Sequence, residues 1–150
     1  MTDTTARLTT STPWHLWVVG ILAVLWSGFG GYDYFMTNTD GDAYMAGMGM
    51  TEAQIAWMNA MPAWMNAPWA LGVWGAVLGS VLLLLRMKWA FHAFVVSLLG
   101  LLVSLVYTYG MSDGAAVMGA TGMAMNAVIL AAALFFVWYS RMMTGKGVLR

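Results

Sequence analysis

Charge is almost absent from four long stretches of this chain. Its six basic and six acidic residues leave uncharged windows at Leu8–Tyr32, Ala53–Leu85, Trp89–Ser112 and Gly114–Ser140. A membrane-crossing helix needs roughly 20 mostly apolar residues, and each window holds one. The pattern predicts spans over about 14–35, 67–85, 90–109 and 121–139. Thr12 is the expected N-cap of the first, with Pro13 at its first helical position, where the missing N–H costs nothing. Asn66 is the expected cap of the second, with Pro68 in its first turn. The link Arg86-Met87-Lys88-Trp89 is so short that the second and third helices must be antiparallel neighbours. The predicted fold class is all-α: a polytopic four-transmembrane-helix bundle, one domain over residues 1–150. The first span is expected to be a retained helix and not a cleaved signal, because only Arg7 precedes it and no small-x-small site follows.

The connection over 37–66 is too long for a turn. Thr51-x-x-Gln54 matches a capping box, and Glu52 suits the dipole of a first helical turn. A short amphipathic helix is therefore expected from Glu52 to about Met61, where Pro62 interferes. The segment Ala56-Trp57-Met58-Asn59-Ala60 repeats at Ala63-Trp64-Met65-Asn66-Ala67. At a period of seven the copies would share a face if the helix continued, with Glu52, Asn59 and Asn66 as a polar stripe. Such a helix is expected to lie in the membrane interface or to cap the bundle, with ligand contact as the alternative.

Composition turns this pattern into a statement about solvent. Hydrophobic residues make up 61% of the chain and charged residues 8%, against about 25% charged in soluble domains. A soluble chain of 150 residues has too little interior to hide so much apolar surface, so the expected solvent is a lipid bilayer. All six Lys and Arg residues fall at one set of span ends: Arg7, Arg86, Lys88, Arg141, Lys146 and Arg150. Asp40, Asp42, Glu52 and Asp113 occupy the other ends, with Asp33 at the edge. The positive-inside rule then places both termini and the short link in the cytoplasm. Trp and Tyr residues gather at both sets of ends, as an aromatic belt requires. Gly72, Gly75 and Gly79 can share one face of the second span and admit a close neighbour. Small residues also recur at Gly20, Gly28, Gly30 and Gly31, and at Gly119, Ala120, Gly122 and Ala124.

Candidate chemistry is sparse. No acid or base lies mid-span, where coupled transporters usually carry one. Asp33 opposes the dipole at its helix C-terminus, so it is expected either to be solvated, to pair with a donor such as a tyrosine hydroxyl, or to bind a ligand. Asn66 and Asn126 are neutral hydrogen-bonders that glue helices or hold ligands. With Asp33, Trp64 and Trp69 they are the candidate ligand-contact residues near the outer side. His15 and His92 are expected at the interface. There are no cysteines. Eleven of the fifteen methionines fall on the predicted outer side. Thioethers are soft ligands suited to Cu(I), and Met45, Met48 and Met50 are spaced for a cluster, although Met is also a filler of apolar gaps. No phosphate loop, zinc motif, nucleophile elbow or basic nucleic-acid stretch occurs, so neither an enzyme nor a nucleic-acid partner is expected.

The opening Thr12-Pro13-Trp14-His15-Leu16-Trp17, the Tyr32-Asp33-Tyr34 segment, Tyr44-Met45, Pro62-Ala63-Trp64 and the run Leu82-Leu83-Leu84-Leu85-Arg86 resemble a group of small four-span inner-membrane proteins of alphaproteobacteria of sphingomonad type. The likeness extends to about Tyr109. Some members carry a sugar-transporter label, so the resemblance implies an inner-membrane place and a transport role, and it carries no functional residues over. Three readings stay open: an accessory or structural subunit joined to other membrane subunits, a transport-related homo-oligomer, and an outward-facing Cu(I)-binding protein.

Overall fold

The computed structural model describes residues 10–150. Arg7 and Leu8, which entered the reading of charge and windows, lie outside them. Six helices follow one another: α1 (Trp14–Thr39), α2 (Gly41–Gly47), α3 (Glu52–Asn59), α4 (Asn66–Leu84), α5 (Trp89–Val106) and α6 (Gly114–Gly145). A 3-10 turn at Ala63–Met65 leads into α4, and a π-helical stretch at Tyr107–Met111 ends α5. The described residues contain no strand. Four of these segments are long and apolar enough to cross a membrane: α1, α4 with its 3-10 turn, α5 with its π stretch, and α6. The chain is an all-α membrane protein of four spans.

Several boundaries differ from the expected ones, each for a local reason. Pro13 is the cap residue of α1 and not its first helical residue; the Thr12 hydroxyl accepts a hydrogen bond from the Arg86 guanidinium instead. α1 continues past Phe35 to Thr39, where Asn38 and Thr39 bond back to the carbonyls of Tyr34 and Phe35. Asn66 caps nothing, because the 3-10 turn runs straight into α4 and Met65 holds the cap position. α6 starts seven residues before the expected Thr121 and bends at Gly119, whose φ of +64° favours glycine. Within the π stretch, Thr108 bonds back to the Ser104 carbonyl and Ser112 to the Thr108 carbonyl.

The tightest contact lies between α4 and α5. Gly72, Gly75 and Gly79 form the predicted face and meet Ser97, Ala93, Phe94 and Leu101 of α5. A Cβ on Gly75 would sit 3.1 Å from the Ser97 nitrogen and 3.2 Å from the Ala93 oxygen. Gly100 answers from α5: a Cβ there would sit 2.5 Å from the Pro68 oxygen and 2.7 Å from the Gly72 nitrogen. The two backbones therefore touch, and the Ser97 hydroxyl donates to the Gly72 carbonyl across the seam. α1 docks on α4 in the same way. Gly20 lies under Leu84, Gly31 faces Val77 and Trp74, and Ser27 and Ser80 share a buried hydrogen bond of 2.9 Å. Gly28 and Gly30 meet no neighbour.

The spans are thus ordered α1, α4, α5, α6, each packed on the next. The flanking α1 and α6 come together at the basic end, where His15 Nδ1 lies 2.6 Å from the Tyr139 hydroxyl. There Leu16, Leu83, Phe94, Tyr139, Met143 and Leu149 belong to the buried apolar cluster. The C-terminal segment seals it. Gly147, at φ +71°, turns the chain out of α6, and the Val148 N–H bonds the Met143 carbonyl at 3.0 Å. Arg150 then pairs with the α4–α5 link: its N–H bonds the Arg86 carbonyl at 2.8 Å, and its carbonyl accepts from the Lys88 N–H at 2.9 Å.

The glycine seam predicts a graded response to added volume. Gly100→Leu forces two backbones apart and is expected to cost at least the roughly 1–3 kcal/mol typical of overpacking. Gly30→Leu, facing open space, is expected to leave stability unchanged. Thermal unfolding of the two variants in detergent micelles checks both; equal effects would refute the seam.

Candidate functional site

At the acidic end the chain between α1 and α4 forms a strap. Gly41 (φ +54°) reverses the chain after α1 and lays α2 back on it, so that the Tyr44 hydroxyl donates to Asp33 Oδ1 at 3.0 Å. Of the outcomes open to Asp33, the structure shows the tyrosine pair. Burial, and then the hydrogen bond to the carboxylate, raise the Tyr44 phenol above its ordinary pKa. Its ring meets Tyr32 edge-on.

α2 ends at Gly49 (φ +84°) in a paired-bond terminator: the Gly49 N–H bonds the Ala46 carbonyl and the Met50 N–H bonds the Met45 carbonyl. α3 opens with the expected capping box. The Gln54 N–H bonds Thr51 Oγ1 at 3.3 Å, and the Thr51 N–H bonds Gln54 Oε1 at 3.0 Å. Two side chains then fix α3 on both flanks. Asn59 Nδ2 donates to Asp42 Oδ1 of α2 at 2.8 Å, and Gln54 Nε2 donates to the Val117 carbonyl of α6 at 3.4 Å. The strap therefore bridges α1 to α6 across the acidic end, which is the capping role expected of it.

Beneath the strap is a cavity of about 210 Å³. Its walls carry Met45 of α2, Met58 and Asn59 of α3, Met61, Met65 of the 3-10 turn, and Trp69 of α4. Thr37 and Asn38 at the end of α1, with Pro62 and Asn66, complete it. Met45 and Met65 are only 3% and 4% exposed. The Trp69 ring is held edge-on by Tyr34, centroids 4.7 Å apart.

Of the residues singled out in the sequence, Asn66, Trp69 and Met45 meet at this cavity. Asp33 stands outside its lining, paired with Tyr44. Trp64 is 51% exposed and packs edge-on against Tyr107. Asn126 donates to the Tyr109 hydroxyl at 2.6 Å and so ties α6 to the π stretch. Met48 is 53% exposed, and neither it nor Met50 lines the cavity; the spacing of 45, 48 and 50 follows the terminator of α2. Sequence reasoning missed Met58, Met61 and Met65 as one group. The repeat held the signal, because its two copies place Met58 and Met65 seven residues apart. Pro62 breaks the helix between them, so the copies meet across a cavity and not along one face.

Electrostatically this end is one-sided. No Lys or Arg occurs between Leu8 and Leu85, whereas Asp33, Asp40, Asp42 and Glu52 all do. No group of three or more His, Cys, Asp or Glu comes together among the described residues.

The Asp33–Tyr44 pair predicts a pH dependence with a definite sign. A phenol whose folded pKa is raised stabilises the fold fully below its unfolded value of about 10, and that contribution is lost as pH rises through the folded value. Wild-type thermal stability is expected to fall above about pH 10 by a component that Tyr44→Phe lacks. Spectrophotometric titration of both proteins checks it: their difference should show one phenol ionising late, and a difference centred at the ordinary value would remove the pair.

No protein-family model, curated protein or solved structure matches this chain.

Proposed function

We propose that the chain is a structural or accessory subunit of a larger membrane complex, set in a bacterial inner membrane with its basic end in the cytoplasm. The observation that supports this reading is the outer face of α6. That helix packs on α5, and almost none of its apolar stretch is buried. Ala120, Ala124, Ala127, Ala131, Leu134 and Trp138 recur along it at alternating steps of four and three, and all six are exposed. That is the 3.5-residue period of left-handed helix pairing. Small residues at such spacing admit a second backbone, which is the main attraction between helices in lipid. Four of the six are alanines, which leaves this face low enough for a neighbouring helix to approach.

A second reading rests on the cavity. Trp69 with Asn38, Asn59 and Asn66 offers an aromatic face beside amides, which is sugar-compatible chemistry. A transport role, which the resemblance implies, would use it, and because four helices enclose little space the transporter would be a homo-oligomer.

Native mass spectrometry of the tagged chain, extracted from its host membrane in mild detergent, separates these readings. The subunit reading expects a fixed-ratio complex with unrelated chains, lost in Ala124→Trp and Ala127→Trp. A homo-oligomer would favour transport, and a monomer would overturn both. For orientation, a reporter active only in the cytoplasm is expected to work when fused after Arg150 and to fail when inserted at Gly49. The reverse result would invert the topology.

A further inference from the structure

We infer that the cavity under the strap binds one soft monovalent cation, Cu(I) or its redox-inert analogue Ag(I), through thioethers of Met45, Met58, Met61 and Met65. The four come from α2, α3, the turn after α3 and the 3-10 turn before α4, and all line a single space of about 210 Å³. The inference is independent of the subunit reading and uses a different part of the molecule.

Three observations carry it. First, methionine is concentrated at this space. A flexible thioether chain is used in cores because it closes irregular gaps; here four of the ten residues lining a space that stays open are methionines. Met45 and Met65 are nonetheless almost wholly buried, so their positions are fixed by the fold. Second, the donor set is selective. No carboxylate, imidazole or thiolate lines the cavity. Mg²⁺ and Ca²⁺ sites are built around carboxylates, with neutral oxygens only beside them, and Zn²⁺ takes thiolate, imidazole or carboxylate. Neutral thioether suits Cu(I) and its congener. The amides of Asn38, Asn59 and Asn66 at the same cavity supply polar surface for a hydrated ion to enter. Third, the surrounding charge has the right sign. The strap and the end of α1 bear Asp33, Asp40, Asp42 and Glu52 with no basic residue between Leu8 and Leu85, and such a field concentrates cations. Asp42 is also structural here: by accepting from Asn59 at 2.8 Å it holds α3 against α2, and with them Met58 against Met45. Asn59 is thus a positioning residue.

The test uses the purified full chain in detergent, titrated with Ag(I) by calorimetry. One equivalent is expected. Met45→Leu with Met65→Leu, a pair of near-isosteric changes, is expected to weaken it by at least tenfold. Met123→Leu with Met125→Leu on exposed α6 is expected to leave it unchanged, as is Met48→Leu. A second measurement needs no variant: with methionine methyl groups ¹³C-labelled, Ag(I) should shift four methyl signals together and leave the α6 methionines still. Absence of binding, binding unaffected by the Met45 and Met65 changes, or shifts spread over exposed methionines would each overturn the site. Loss of the complex in the Ala124 and Ala127 variants with Ag(I) binding intact would show the two proposals to be separate.

Discussion

The rest of the molecule depends on one steric fact: α4 and α5 touch backbone to backbone. In lipid there is no hydrophobic gain from joining two apolar helices, so association rests on close packing and a few polar contacts. Gly72, Gly75 and Gly79 remove the side chains on one face, and Gly100 removes the one that would strike Pro68 and Gly72. The Ser97 bond to the Gly72 carbonyl adds direction. Once this pair is fixed, α1 has a surface to dock on through Gly20, Ser27 and Gly31, and α6 docks on the other side of α5. There the Phe94 and Phe136 rings stack with centroids 5.4 Å apart and Arg141 lies 5.5 Å from the Phe91 ring centroid.

Backbone polar groups impose the second constraint, since the bilayer core offers them no water. The helix ends answer it with one device used three times. α2, α4 and α6 each end with a residue of positive φ, Gly49, Arg86 and Gly147, followed by the same two backward bonds. Arg86 is the exception in kind. A left-handed conformation costs a side-chain-bearing residue about 1–2 kcal/mol, yet arginine stands where glycine is usual. Its carbonyl receives the Arg150 N–H and its guanidinium reaches Thr12, so that one strained residue joins the α4–α5 link, the start of α1 and the C-terminal segment. Inside the helices Ser27, Ser80, Ser104 and Ser140 bond carbonyls of their own turns, and no buried polar side-chain atom among the described residues lacks a partner.

What was legible in the sequence was what one helix decides by itself. Apolar length, the glycine face of α4 and the Thr51–Gln54 box are local properties, and each is found in the structure. The features that escaped reading depend on two segments at once. α2 has too few apolar positions to announce itself and is held by Tyr44 reaching Asp33. Asn66 resembled a cap, but the turn before it is already helical. The cavity assembles methionines from four elements, and only the fold brings Met45 to Met58 and Met65. Asn126 was legible as glue in kind, though its partner Tyr109 lies in a π stretch that no sequence period foretells.

The flanking helices α1 and α6 meet through His15 and Tyr139 at the basic end but are joined by the inserted strap of α2 and α3 at the other. At the basic end the junction is direct, but at the acidic end it runs through three side-chain bonds in series, Tyr44 to Asp33, Asn59 to Asp42 and Gln54 to the Val117 carbonyl. Links in series are only as firm as the weakest of them, here the 3.4 Å bond from Gln54, so the coupling between the first and last helices is rigid at one end and yielding at the other.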